Sequence, residues 1–252
     1  DKALQSAFRM PVQWVNRPNL DFRGFSGQIA SGTIHPGDRV KALPSGKEST
    51  VERIVTYDGD LKQAISGQSV TLTLADEIDV SRGDILVEAE TPCGVADQFQ
   101  AQVLWMSDER MFPGRPYLMK IGAREAMCTP AKPKHTIDVN TLQKRPAKTL
   151  GLNEIGVCNI SLDRNIAFDA YADNRATGGF ILIDRMTNNT VGMGLLNFAL
   201  RRASNIHWQA MDVDKSARAT AKGQKPVILW FTGLSGAGKS TIANLVERKL
   251  HA

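Results

Sequence analysis

The sequence predicts a mostly β protein, in which two consecutive β-barrels are followed by the first strand, loop and helix of an α/β domain. Two observations lead to this prediction. From residue 8 to about residue 195, short apolar segments alternate with turns rich in Gly, Pro and Asp, and helical periodicity is absent from the first part. From residue 227 onward, a continuous apolar run, a Gly-rich loop and apolar residues at helical spacing follow one another.

The first barrel is predicted within residues 1–92. Strands are expected near 8–15, 24–40, 51–55 and 69–74, with turns at 58–59 and 66–67 and with Ile29 and Val40 facing inward. Short strands at this spacing are typical of a small barrel. Trp14 is also expected in the core. A cluster of carboxylates is interpreted as a solvated loop before the last strand, since paired-carboxylate catalysis would need them to face each other across a cleft; its members are Asp76, Glu77, Asp79 and Asp84.

The second barrel is predicted within residues 93–202. Its first strand alternates apolar residues that face the core, Phe99, Ala101, Val103 and Trp105, with residues that face solvent. Further strands are expected at 117–121, 135–139, 155–162, 180–184 and 190–195, and a loop of hairpin length, 185–189, joins the last two. Phe180 is expected in the core, and Gly178-Gly179 is expected to form a turn or bulge because it precedes a strand.

The third region, residues 203–252, contains the phosphate-binding pattern G-x-x-x-x-G-K-[ST] between a predicted strand, 227–232, and a predicted helix. Successive backbone N–H groups and the helix dipole would hold a phosphate chain there. Lys239 would reach the β- and γ-phosphates as the catalytic cation, and the Ser240 hydroxyl would ligate Mg²⁺. The alternative is a Gly-rich turn with an ordinary surface lysine. The predicted binding residues are Gly233, Ser235, Gly236, Ala237, Gly238, Lys239, Ser240 and Thr241.

The chain reaches Ala252 one helix after this loop, whereas a phosphate-binding domain of this kind needs further strands. We therefore expect the sequence to be a fragment of a longer polypeptide.

Charge and cysteine content restrict the class of protein. Most of the net charge of +5 lies in residues 201–225, which contain six Lys or Arg and two Asp. We interpret this stretch as a solvated linker. A basic face interleaved with aromatic residues, which would predict nucleic-acid binding, is not found in the sequence. No apolar stretch is long enough to cross a membrane. Three widely spaced cysteines and four scattered histidines fit neither a disulfide framework nor a metal site, which favours a cytoplasmic protein.

The β region resembles domains 2 and 3 of translation-factor GTPases of the elongation factor Tu type, on the pattern of residues 27–40. Residues 17–18, 21–24, 43–46 and 173–184 resemble more closely the GTPase subunit of bacterial sulfate adenylyltransferase. Residues 205–208 and 229–243 are similar to the opening of adenylylsulfate kinase. The order of these segments is that of bifunctional sulfate-activation enzymes, in which the two are fused.

The resemblance implies two activities in the parent protein. Sulfate adenylyltransferase makes adenylylsulfate and diphosphate from ATP and sulfate, driven by GTP hydrolysis and in complex with a small catalytic subunit. Adenylylsulfate kinase then uses a second ATP, with Mg²⁺, to make 3′-phosphoadenylylsulfate. The resemblance also implies a GTP-binding domain before Asp1 and the rest of the kinase after Ala252, so the fragment alone is expected to be inactive.

Two other functions stay open at this point. The chain could be a translation-factor remnant that binds tRNA, although the near-neutral charge of the barrels argues against this. It could also be a non-catalytic scaffold that docks the small sulfate adenylyltransferase subunit.

Overall fold

A computed structural model describes residues 2–19, 22–200, 241, 242, 246 and 249 of the chain. The chain divides into two compact units, Asp1–Arg202 and Ala203–Ala252. The first unit contains two β-barrels in series. Among the described residues, no helix is both long and apolar enough to cross a membrane.

The first barrel follows a single helical turn, α1 (Lys2–Gln5), and is built from short strands. These are β1 (Arg9–Pro11), β2 (Trp14–Asn16), β3 (Gly24–Gln28), β4 (Thr33–Ile34), β5 (Arg39–Leu43), β6 (Lys47–Thr56), β7 (Gly59–Leu61), β8 (Ala64–Ile65), β9 (Ser69–Leu74) and β10 (Ile85–Glu88).

Antiparallel pairing arranges this sheet in the order β1-β10-β5-β6-β9-β3-β2, with β7 on β6 and a separate β4–β8 pair. β1, at one end of the order, also bonds to the chain just after β3, near the other end, since the Arg9 N–H donates to the Ser31 carbonyl at 3.0 Å and the Ala30 N–H donates to the Arg9 carbonyl at 2.8 Å. The result is a small barrel, as the sequence predicts.

The core of the first barrel confirms the predicted inward residues, since Ile29 is 1% exposed and Val40 is fully buried. The prediction for Trp14 is wrong. On β2 it is Val15 that packs against the core, so strand alternation turns Trp14 outward, where it is 59% exposed.

The acidic cluster also departs in part from its interpretation as a solvated loop. Asp76, Glu77 and Asp79 are exposed in the segment between β9 and β10. Asp84, however, is only 7% exposed, because it pairs with Arg124 of the second barrel.

The second barrel is built from longer strands. These are β11 (Gly94–Trp105), β12 (Tyr117–Ile121), β13 (Arg124–Pro130), β14 (His135–Ile137), β15 (Lys144–Arg145), β16 (Ile155–Phe168), β17 (Gly179–Ile183) and β18 (Thr190–Ala199), with one helical turn, α2 (Arg175–Gly178), before β17.

Six of these strands close into an antiparallel ring in the order β11-β18-β17-β12-β13-β16, because β16 also pairs with β11. The short strands β14 and β15 extend this sheet outward from β16. The ring surrounds one core, in which the Trp105 and Tyr117 rings meet edge-on at 5.4 Å.

The predicted alternation in β11 is confirmed. Phe99, Ala101, Val103 and Trp105 are at most 1% exposed, and Phe180 is 4% exposed. The strand at Tyr117–Ile121 has its predicted bounds, and the 185–189 loop joins β17 to β18 as a hairpin.

One strand of the second barrel differs from the sequence interpretation. Strand β13 was not predicted, although it supplies Ala126 and Cys128 to the core. Of the predicted turn or bulge at Gly178-Gly179, the structure has a turn, since Gly178 ends the helical turn α2 and Gly179 begins β17. Asn174 explains the helical turn, because its side chain caps the turn by accepting the Ala176 N–H.

Candidate functional site

The predicted phosphate-binding residues 233–240 lie outside the described residues. The described residues next to them, Thr241 and Ile242, are helical and exposed, and Val246 and Lys249 are also helical. A helix on the C-terminal side of the loop is what the motif requires, and these described residues are helical.

In the first unit, the best-built polar site is the junction between the two barrels. We call the barrel junction the set of side chains that meet there: Arg9, Ser31, Asp84, Arg124, Asp169, Asn174 and Thr177. Strands β1 and β10 of the first barrel bring their ends to the end of β16 and to α2 of the second.

The centre of the junction is an ion pair between Arg9 on β1 and Asp169, which follows β16 directly. Arg9 Nε lies 3.1 Å from Asp169 Oδ2, and the two side chains are 9% and 15% exposed. Thr177 Oγ1 donates to the same carboxylate oxygen at 2.8 Å, and the guanidinium also donates to the Phe8 carbonyl at 2.9 Å. Both charges are therefore withdrawn from water with their hydrogen bonds largely satisfied.

A neutral hydrogen-bond chain lies beside this pair. Asn174 Nδ2 donates to Ser31 Oγ at 3.1 Å, and Ser31 Oγ donates to the Ala7 carbonyl at 2.8 Å. Because Asn174 also caps α2, one side chain both shapes the helical turn and binds the other barrel.

A second ion pair, between Asp84 and Arg124, lies near the turn before β10. Arg124 Nη1 is 3.2 Å from Asp84 Oδ1, and Gly83 lies against the Arg124 backbone, where a Cβ would be 3.0 Å from Arg124 Cα. Burial raises the pKa of Asp84, and the Ser81 N–H and the Arg124 charge oppose this only in part. The cost of removing the Asp84 carboxylate from water thus exceeds the stabilisation that its hydrogen bond and its ion pair provide.

Apolar side chains complete the junction. Leu43, Ile85 and Val87 of the first barrel pack with Cys93 of the connection and Ala167 of β16. Burial, and to a smaller extent the negative charge of Asp169, raises the pKa of the Cys93 thiol to about 11. This thiol is a packing residue and not a nucleophile.

The family-like segment 173–184 runs from this junction to the far end of β17. At its start, Gly178 lies so close to Tyr171 that a Cβ would be 2.5 Å from the Tyr171 backbone. At its end, Asp184 accepts the Met186 and Thr187 N–H groups and pairs with Arg115. The backbone bond from Thr187, then that from Met186, lower the pKa of Asp184. This segment is thus used for folding and for joining the barrels.

The other sequence candidates do not form a catalytic group among the described residues. No cluster of His, Cys, Asp and Glu there could hold a metal ion. His35 contacts Asp38 at 3.3 Å at the surface, while His207 and His251 lie outside the described residues. The cysteines Cys93, Cys128 and Cys158 are buried free thiols.

The role of the junction is structural. Its charged groups are paired with each other and its apolar cluster is closed, so it holds two barrels in one arrangement. No sequence pattern predicts this junction, because Arg9 and Asp169 are 160 residues apart in the chain. The only signal was the resemblance of residues 173–184 to a known family, which gave no role for individual side chains.

Comparison with protein families divides the chain in the same order. Residues 25–87 match elongation factor Tu domain 2, residues 98–197 match the GTP-eEF1A C-terminal domain-like family, and residues 225–252 match adenylylsulphate kinase. Among solved structures, Sup35 complexed with GDP has the same fold over 79% of this chain and 49% of its own, with a TM-score of 0.72 and 21% identity.

Curated relatives match over the whole chain. The bifunctional enzyme NodQ of Rhizobium sp. (strain N33) is 53% identical over 252 residues, and the bifunctional enzyme CysN/CysC of Xylella fastidiosa is 54% identical over 252 residues. These matches cover 100% of this chain but only 39% and 40% of those enzymes. Sulfate adenylyltransferase subunit 1 of Photobacterium profundum is 51% identical over 195 residues, which is 77% of this chain and 41% of that protein.

The resemblance inferred from the sequence is therefore confirmed: this chain is similar over its whole length to a segment of the bifunctional NodQ and CysN/CysC enzymes, spans about two fifths of their length, and matches in order two translation-factor-type barrel domains and the start of an adenylylsulphate kinase domain.

Proposed function

We propose that the chain is part of a sulfate-activating enzyme that couples GTP-driven sulfate adenylyltransferase to adenylylsulfate kinase. The first activity converts ATP and sulfate to adenylylsulfate and diphosphate, and the second converts adenylylsulfate and ATP to 3′-phosphoadenylylsulfate and ADP. The observation that carries the proposal is the 53% sequence identity to a bifunctional enzyme across all 252 residues, barrels and kinase start together.

In this proposal the kinase phosphate site is residues 233–241. The backbone N–H groups of Gly233, Ser235, Gly236, Ala237 and Gly238 would donate to the phosphate chain of ATP. Lys239 would stabilise the charge that develops on the transferring phosphoryl group, and Ser240 would ligate Mg²⁺, with Thr241 opening the helix. When bound, Mg²⁺ supplies charge neutralisation at the phosphates.

The barrels would serve the adenylyltransferase half. We propose boundaries at 1–92 and 93–202 for the barrels and 203–252 for the linker and kinase start. The barrel junction joins the barrels through two ion pairs and an apolar cluster, so movement of one barrel would carry the other with it. Such a body could pass the state of a GTP-binding domain to a small catalytic subunit in the cytoplasm.

The test uses the longest gene product that contains this chain, mixed with its second sulfate adenylyltransferase subunit. With ATP, sulfate and GTP, diphosphate release should depend on GTP and on the second subunit. With adenylylsulfate and ATP, 3′-phosphoadenylylsulfate should form without either. Absence of both products from a folded protein would overturn the proposal.

The 252-residue chain by itself is proposed to be inactive in both reactions. If the purified chain showed kinase turnover, and Lys239→Ala abolished that turnover, the chain would hold a complete kinase site. That result would refute the proposed inactivity.

A further inference from the structure

A strongly basic hairpin projects from the second barrel on the side of β16. We define the basic hairpin as residues 131–148, which include strands β14 and β15 and the loop between them. Five of its residues are Lys or Arg and only one, Asp138, is acidic. All five cations are exposed: Lys132, Lys134, Lys144, Arg145 and Lys148.

Most of this charge is not neutralised within the described part of the chain. Arg145 pairs with Asp138 at the base of the loop. Across residues 2–19 and 22–200, none of the four lysines of the hairpin has a carboxylate within salt-bridge distance. The near-neutral charge of the barrels therefore conceals a local excess of positive charge.

The tip of the hairpin carries two exposed apolar side chains. Val139 is 62% exposed and Leu142 is 75% exposed. Asp138 holds the tip in shape, because its carboxylate accepts the Asn140 and Thr141 N–H groups at 3.0 Å and its carbonyl accepts the Leu142 N–H at 2.7 Å. The backbone hydrogen bonds of Asp138 are also the main reason why its pKa is lowered.

Leu142 has a backbone angle φ of +57°, a conformation that a leucine adopts at a cost. A leucine kept in the left-handed region and exposed to water does not serve the fold of the loop, for which Asn or Gly would be better suited.

Protection of a sheet edge explains only part of these features. β15 is an edge strand, and its two cationic residues followed by Pro146 would discourage pairing with another chain. This explanation covers Lys144 and Arg145. It does not cover Lys132, Lys134 and Lys148, which lie outside the edge strand, or the exposed apolar tip.

We propose that the basic hairpin is a docking element for an acidic protein surface, with Val139 and Leu142 filling an apolar recess at its centre. The inference rests on the proposed function for the identity of the partner, which is the second subunit of sulfate adenylyltransferase. The lysines form the charged rim of the contact, and the tip supplies the side chains that lose water on binding.

A protein fits this surface better than a nucleic acid does. The hairpin contains no Phe, Tyr or Trp on which a base could stack, and the exposed apolar residues at its tip are aliphatic. A phosphate backbone binds more tightly to a surface with more cations, but it has no recess for a valine and a leucine.

Binding of the 252-residue chain to the purified second subunit tests the inference, with affinity measured by calorimetry at two salt concentrations. Lys134→Glu combined with Lys144→Glu should weaken binding by about tenfold or more at low salt, and high salt should reduce the difference. The matched control combines Lys47→Glu with Lys62→Glu, two exposed lysines of the first barrel, and should bind like wild type.

A second variant, Val139→Ser combined with Leu142→Asn, tests the tip. Asn accepts the left-handed backbone conformation, so the hairpin should keep its fold while the apolar contact is lost. Its thermal unfolding should match wild type and its affinity should fall by about tenfold.

The outcomes separate the inference from the proposed function. Wild-type binding that neither hairpin variant weakens would overturn the inference and leave the proposed function standing. No binding by the wild-type chain would overturn the inference, while the turnover of the longer gene product would still decide the proposed function. Salt-sensitive binding of transfer RNA that the lysine variant abolishes, with subunit binding unchanged, would assign the hairpin to nucleic acid and also overturn it.

Discussion

Arg9 and Asp169 form a nearly buried ion pair, with Nε 3.1 Å from Oδ2, between the first strand of one barrel and the end of the longest strand of the other. The connection between the barrels is short, since β10 ends at Glu88 and β11 begins at Gly94. A short connection limits how far the barrels can separate, but it does not fix their angle. The ion pair, with Thr177 and the Ser31–Asn174 bond beside it, fixes that angle.

Removing the carboxylate charge should therefore destabilise the whole unit. Asp169→Asn leaves the Arg9 guanidinium without its counter-charge in a nearly buried position, and we expect a loss of about 3 kcal/mol in the free energy of unfolding. Urea denaturation measures it. Asp163→Asn, which breaks an exposed pair with Arg164, is the control and should cost much less. Equal losses in the two variants would show that the junction pair does not stabilise the unit.

Close packing at Gly178 gives a second prediction. Gly178→Ala would place a Cβ 2.5 Å from the Tyr171 backbone, so the turn α2 must shift. We expect a loss of about 2 to 3 kcal/mol in the free energy of unfolding. Gly151→Ala is the matched control, because its Cβ would meet only the Glu154 carboxyl group at 3.6 Å. An unchanged urea midpoint for Gly178→Ala would contradict the close approach of Gly178 to the Tyr171 backbone.

Strand alternation explains which parts of the fold could be predicted. In β11, every second residue from Phe99 to Trp105 is apolar over a long strand, so the buried face is unambiguous. In β2, Trp14 and Val15 are both apolar and the strand has three residues, so the pattern does not say which of them faces inward. The larger residue is the exposed one.

Contacts between distant segments could not be predicted. Asp84 sits in an acidic stretch that suggests solvent, and its burial depends on Arg124, which belongs to the other barrel. The basic hairpin was missed for a different reason. Its excess of positive charge is confined to residues 131–148 and is offset by acidic residues elsewhere in the barrels, so it does not appear in the net charge of a whole barrel. For the phosphate-binding loop, spacing alone assigns roles to Lys239 and Ser240, and these roles stay predictions.

Acid should weaken the fold partly through Asp184. Its pKa is lowered in the folded state, so the stability that it contributes is complete above the ordinary Asp pKa and is lost as pH falls below about 4. Asp184→Asn should therefore lose less free energy of unfolding between pH 7 and pH 3 than wild type does. Asp84 acts in the opposite direction, because its raised pKa makes the folded state take up a proton first.

Urea denaturation at the two pH values measures this difference. Asp58→Asn, in the exposed turn before β7, controls for the removal of one carboxylate elsewhere. An Asp184→Asn variant with the full wild-type loss would mean that this carboxylate is not stabilised by its hydrogen bonds.

The thiols should be unreactive in the folded chain. Burial raises the pKa of Cys93 to about 11 and that of Cys128 and Cys158 to about 12. At pH 8, alkylation followed by mass spectrometry should be at least about a hundredfold slower than for a free thiol, because little thiolate exists and access is blocked. In denaturant all three should react. Rapid modification of any one of them in the native chain would contradict its described burial.

The most direct test of the proposed function is Lys239→Ala in the longest gene product that contains this chain, assayed for both activities. The kinase reaction should fall by orders of magnitude, because a charge that stabilises the transferring phosphoryl group is removed. GTP-dependent formation of adenylylsulfate with the second subunit should survive at the wild-type rate. Unchanged kinase turnover, or an equal loss of both activities in a folded variant, would contradict the assignment of residues 233–241 to a separate kinase site.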